Sequence, residues 1–85
     1  MEIIIPENNR DGQRVLDFFE SNFTDVEQVK IFEKIEICEK FSSLELIQKH
    51  KIEKIEKHLY EFRVQIPKIK LRFFGVLCGE KLILV

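Results

Sequence analysis

Arg63, Lys70 and Arg72 are the side chains of this 85-residue chain whose type and spacing point to chemistry. In the stretch LYEFRVQI, Tyr60, Phe62, Val64 and Ile66 alternate with Leu59, Glu61, Arg63 and Gln65, the period-two pattern of a strand with two unlike faces. Pro67 breaks the run, and a second alternation sets Ile69, Leu71 and Phe73 against Lys70, Arg72 and Phe74. The three cations share the polar parity of neighbouring strands, where they repel unless an anion joins them. Glu61, on the same parity, is one candidate and would make a structural ion pair. A phosphate is the other, since guanidinium forks grip non-bridging oxygens in pairs. When a ribose 2′-hydroxyl attacks its neighbouring phosphate, such donors can stabilise the charge on the phosphorane without metal. Lys54 and Lys57, just ahead of the strand, extend the patch. Phe74 can stack on a base, as aromatics do in single-strand readers, or pack on a neighbour.

Other chemistries find less support. There is no nucleophile elbow, no Cys beside a His, no CxxC and no glycine-rich phosphate loop, so nucleophilic catalysis, a structural zinc and a bound cofactor are not expected. His50 and His58 flank a lysine-rich segment, and either can act as an acid or base near neutrality or be a plain surface residue. Glu53, Glu56 and Glu61 sit among lysines and read as solvated charge. Cys38 and Cys78 lie in apolar surroundings forty residues apart and read as small buried hydrophobes in a reducing cytosol. No apolar run approaches the ~20 residues of a membrane span. Ile3-Ile4-Ile5 is too short for a signal peptide, so a cytoplasmic location without membrane contact is expected. The net charge of −1 is unevenly placed. Residues 1–45 hold 11 acidic and 5 basic side chains, and residues 46–85 hold 4 and 9. The second half is the one suited to a polyanion.

The elements that must position these residues follow from pattern and punctuation. Glu2–Pro6 reads as a short strand and Glu7–Gly12 as a turn-rich loop. A helix from about Asp11 carries Val15, Phe18 or Phe19, and Phe23, with Arg14, Asp17 and Glu20 on its polar side. Thr24 to Glu27 is a capping box opening a helix to about Phe41, with an apolar stripe of Val26, Val29, Ile31, Phe32, Ile35 and Cys38. Ser42 to Glu45 repeats the cap for a short helix ending at Gln48. Residues 49–58 suit either a helix or a loop leading into a strand around Ile52–Ile55. Cys78-Gly79-Glu80 is a turn, and Lys81–Val85 an apolar strand whose free edge can pair with a second copy. The fold class is α+β in one domain over 1–85: a strand, a helical hairpin, then a three-stranded antiparallel meander with the helices on one face. The greasy strand parity should meet Phe18, Phe19, Phe32 and Ile35, and nothing left in the chain covers the other face.

A lysine–isoleucine–glutamate stretch leading to LYEFRV, then IKLRFFG, a turn and LILV, resembles the RelE/HigB-type toxins of bacterial toxin–antitoxin pairs, and more narrowly their phage-derived HigB-like branch. The likeness runs in order over nearly the whole chain, with its specific motif between Lys54 and Phe74. It implies a RelE-like fold and a ribosome-dependent, metal-free mRNA endoribonuclease (an mRNA interferase) that inhibits translation and is held inactive by a cognate antitoxin. By position, it implies Lys54, Arg63 and Arg72 as the RNA-contacting or catalytic residues and Glu61 as structural; around them, the cationic face itself leads us to expect RNA contacts from Lys57, His58, Lys70 and Phe74. Members of the family continue past the last strand with a basic, His-containing segment, whereas this sequence stops at Val85. The alternative expectation is therefore a truncated or inactive RelE-fold protein that binds an antitoxin or RNA.

Overall fold

In a computed structural model the described residues are 1–6 and 10–85, with 10–14 described by backbone alone. The order is β1 (Glu2–Ile4), α1 (Arg10–Asn22), α2 (Asp25–Glu39), α3 (Ser43–Gln48), β2 (Ile52–Glu56), β3 (Leu59–Ile66), β4 (Ile69–Cys78) and β5 (Lys81–Leu84). The strands form one sheet in the order β1-β5-β4-β3-β2. β2 to β5 are a continuous antiparallel meander, and β1 returns parallel to β5. The α+β architecture with helices on one face is the expected one. The ambiguous segment supplies a fourth meander strand, β2. The loop expected over Glu7–Gly12 lies partly outside the described residues, as does the side chain of Arg14, and from Arg10 the backbone is helical.

One expectation about assembly changes. Because β1 pairs with its outer edge, β5 is an interior strand, and the sheet ends instead at β1 and β2. Pairing of a second copy along Lys81–Val85 is therefore blocked. The exposed edge, β2, carries Glu53, Lys54 and Glu56 and a register shift between Lys54 and Glu56. Charge and irregularity of this kind blunt an edge against strand addition.

Local chemistry explains the starts of α2 and α3 and the links between the meander strands. The Thr24 hydroxyl accepts from Glu27 N–H at 3.2 Å while the Glu27 carboxylate accepts from Thr24 N–H at 2.9 Å. Ser42 and Glu45 repeat this reciprocal box at 3.2 and 3.1 Å. Both capping boxes stand where the sequence pattern put them, satisfying orphan amides of α2 and α3. The strand links are two residues long and each turns on a left-handed residue: His58 at φ 66°, Lys68 at φ 68° and Gly79 at φ 61°. Pro67 before Lys68 gives the fixed negative φ that a type II turn needs in front of its left-handed position.

The core lies between the helices and one sheet face. Phe62, Val64 and Ile66 of β3, Leu71 and Phe73 of β4, and Leu82 and Leu84 of β5 meet Val15, Phe19, Ile31, Ile35, Cys38 and Leu46. Phe19 sits at its centre, with ring centroids 5.1 Å from Phe32 and 5.5 Å from Phe73. Four expected core members are outside it. Phe18 lies at the flank of the α1 face that buries Val15 and Phe19, 43% exposed, with its ring centroid 5.6 Å from that of Phe23. Val26 and Val29 are exposed on α2, whose buried face is Ile31, Ile35 and Cys38. Cys78, at the end of β4, is exposed rather than a buried hydrophobe.

Candidate nucleic-acid interface

The helices cover one parity of the strands and leave the other open. Register makes the open face explicit: Arg63 pairs with Arg72, Glu61 with Phe74, Gln65 with Lys70, and Glu53 of β2 with Glu61. Directly opposed like charges destabilise a sheet unless something joins them. Here Glu61 joins them. Its Oε1 accepts from Arg63 Nε at 2.9 Å and lies 3.6 Å from Arg72 Nε. Arg63 also donates through Nη2 to Glu53 and through Nη1 to the His50 carbonyl at 3.3 Å. The hydrogen bond to Glu61, against some desolvation and with Glu53 adding its charge, raises the Arg63 guanidinium above its already high value.

The two arginines therefore differ. Arg63 is committed to two carboxylates and a carbonyl. Arg72, with 71% of its side chain exposed, has among the described residues only the long contact to Glu61 and offers its outer donors to solvent. Arg72, Lys70, Arg63, Gln65, His50 and Lys51 line a shallow cleft of about 270 Å³. Lys51 and Lys70 make no ion pair with the described residues. Four cations against the two carboxylates leave this end of the face at a local charge of +2 in a screened, solvent-facing site.

The other end of the open face is apolar. Leu59 pairs with Val76, Val76 with Ile83 and Ile83 with Ile4, a row across four strands. All four are partly exposed. Phe74 stands between this row and the cleft, 46% exposed. Val85 beside it is tied by its N–H to the Phe74 carbonyl.

Of the residues expected at the site, Arg63, Lys70, Arg72 and Phe74 share this face, and three others stand elsewhere. Lys54 pairs with Tyr60 on the parity of Ile52 and Phe62, so it leaves the edge of the sheet on the helix side. The expected trio of Lys54, Arg63 and Arg72 is not brought together. Lys57 and His58 form the β2–β3 link, five residues and ~17 Å of extended strand from Arg63, beside the apolar row. Sequence reasoning missed His50, Lys51 and Glu53 as neighbours of the arginines. The signal was present: reading residues 52–56 as a strand with a two-residue link places Glu53 opposite Glu61.

No helix among the described residues is long and apolar enough to cross a membrane. Comparison with models of protein families, with curated proteins and with solved structures finds no match for the chain.

Proposed function

We propose that this protein is a RelE/HigB-type toxin-fold module that binds single-stranded RNA on its open sheet face. The observation that carries this reading is the exposed Arg72 beside Lys70 in a cleft of net positive charge, with an exposed Phe74 one pleat further along the strand. A phosphate seats against Arg72 and Lys70, and the adjoining base stacks on Phe74. Arg63 serves as the strut that fixes Glu61 and the His50 turn. The apolar row Leu59–Val76–Ile83–Ile4 is the surface that a cognate antitoxin segment would cover. Fluorescence anisotropy with a labelled single-stranded oligoribonucleotide tests this. Arg72→Ala and Lys70→Ala weaken binding and flatten its salt dependence by ~0.7 per lost phosphate contact, and Phe74→Ala weakens it without changing the slope. No binding by the folded wild type rejects the proposal.

A cleaving version of the same site is favoured by one observation, that His50 lines the cleft with Arg72. In that version the 2′-oxygen attacks phosphorus as its proton passes to His50. The bond from phosphorus to the 5′-oxygen then breaks, and the leaving oxygen takes a proton from water. Arg72 and Lys70 hold the phosphorane charge. Ribosome-programmed mRNA cut to 2′,3′-cyclic ends, with cutting lost in His50→Ala while RNA is still bound, supports it. Intact mRNA leaves the binding reading alone.

A further inference from the structure

Helix α2 is apolar on two sides, and only one of them is used by the core. Ile31, Ile35 and Cys38 are buried against the sheet, while Val26, Val29 and Ile37 are 65%, 57% and 48% exposed. At about 100° per residue, Val26, Lys30, Glu33 and Ile37 fall within ~60° of one another on a stripe turned away from the buried residues. Their spacing of four, three and four is that of a helix–helix seam. Read along the helix the seam runs apolar, cation, anion, apolar, so reversing its direction exchanges the charges and keeps the apolar ends.

We propose that the protein forms an antiparallel, two-fold homodimer through this outward stripe of α2. Charge complementarity selects both the occupant and its direction. Two antiparallel copies set Val26 of one against Ile37 of the other at each end. Lys30 then faces Glu33 in both middle layers, and Lys34 of each copy falls beside Glu27 of the other. A parallel pair would instead oppose Lys30 to Lys30 and Glu33 to Glu33. Such a closed two-fold contact uses the same patch on both copies and cannot grow into a fibre. It leaves the cationic sheet faces on the outside of the dimer, pointing away from each other, because α2 packs on the opposite side of the sheet. A helix of 15 residues is only ~22 Å long. Its pairing buries less than the ~1,600 Å² of a standard interface, which places the dimer among weak, concentration-dependent associations.

Sedimentation equilibrium of the whole chain over about 5–500 μM tests this. The wild type is expected to pass from monomer to dimer across that range. Lys30→Glu and Glu33→Lys each place like charges in both middle layers and are expected to weaken association at least tenfold. An equimolar mixture of the two variants is expected to recover wild-type association, because a pair made of one copy of each again sets a carboxylate against an ammonium in both layers. Both positions are exposed, and circular dichroism checks that each variant keeps its helices. A wild type that stays monomeric throughout, a dimer indifferent to either charge reversal, or a mixture that fails to recover overturns the proposal.

Discussion

Replacing Glu61 by Gln should strengthen the binding of single-stranded RNA, although it removes a side chain that holds the site together. The carboxylate has 12% of its side chain exposed and sits between Arg63 Nε at 2.9 Å and Arg72 Nε at 3.6 Å, partly cancelling both. With it, the four cations and two carboxylates around the cleft sum to +2, and without it to +3. If each unit of excess charge neutralises one phosphate, the dependence of log K on log salt steepens from ~1.4 to ~2.1 for a single strand. At about 0.1 M salt the extra contact is worth roughly a fivefold gain in affinity. Arg63 stays anchored by Glu53 and the His50 carbonyl, so the face keeps its shape. Anisotropy titrations of wild type and Glu61→Gln at four or five salt concentrations measure both quantities. An unchanged or shallower slope with Glu61→Gln, or weaker binding at every salt, would show that Glu61 does not set the charge presented to the ligand.

Other expectations concern the scaffold. Phe19→Ala should cost ~3–5 kcal/mol in urea unfolding and Phe18→Ala under ~1, because Phe19 is 1% exposed and Phe18 is 43% exposed. Against a total stability of roughly 4–13 kcal/mol for 85 residues, the first removes a large share of the margin; equal costs would contradict the placement of Phe19 at the centre of the core. Gly75→Ala should destabilise by ~1–3 kcal/mol despite the stiffer chain, since an added Cβ would meet Leu82 Cδ1 at 2.9 Å and the Ile83 carbonyl at 3.0 Å. A neutral or stabilising result would mean that β5 can shift. Among the two thiols, Cys78 should react first with a disulfide reagent at pH 8, since Cys38 is buried and burial raises its pKa above 9.0 against the lowering charges of Lys51 and Lys34. Hydrogen bonds from Ser42 to Glu45 and from Ser43 to Glu80 lower both carboxyls below 4.5. Their stabilisation is thus present above that value and lost as pH falls through the lower folded values. Glu45→Gln with Glu80→Gln should flatten acid unfolding there, and an unaltered acid limb would exclude the two contacts as its cause.

The features that sequence disclosed were those with a local cause. The two capping boxes, the alternation in β3 and β4 and the turn at Gly79 each depend on residues a few positions apart. The shared parity of Arg63 and Arg72 therefore carried through to the sheet. What sequence left open depended on distant pairing. Lys54 and Arg63 are nine positions apart, and only the register of β2 on β3 decides that they leave the sheet on opposite sides. The apolar run of β5 gave no sign that β1, from the far end of the chain, would close its outer edge. On α2 the apolar residues lie on two sides of one helix, so period alone could not separate Val26 and Val29 from the core. Glu61 as the clamp of two arginines was visible as a candidate, whereas Glu53 required β2 to be read as a strand.

The most direct measurement is a titration of isotope-labelled protein with a single-stranded oligoribonucleotide, followed by amide chemical shifts. Shifts gathered on Arg72, Lys70, Phe74, Gln65 and the His50–Lys51 turn are the predicted result. Shifts confined to the helix side of the sheet around Lys54, or none at concentrations where the protein is folded, would contradict the account.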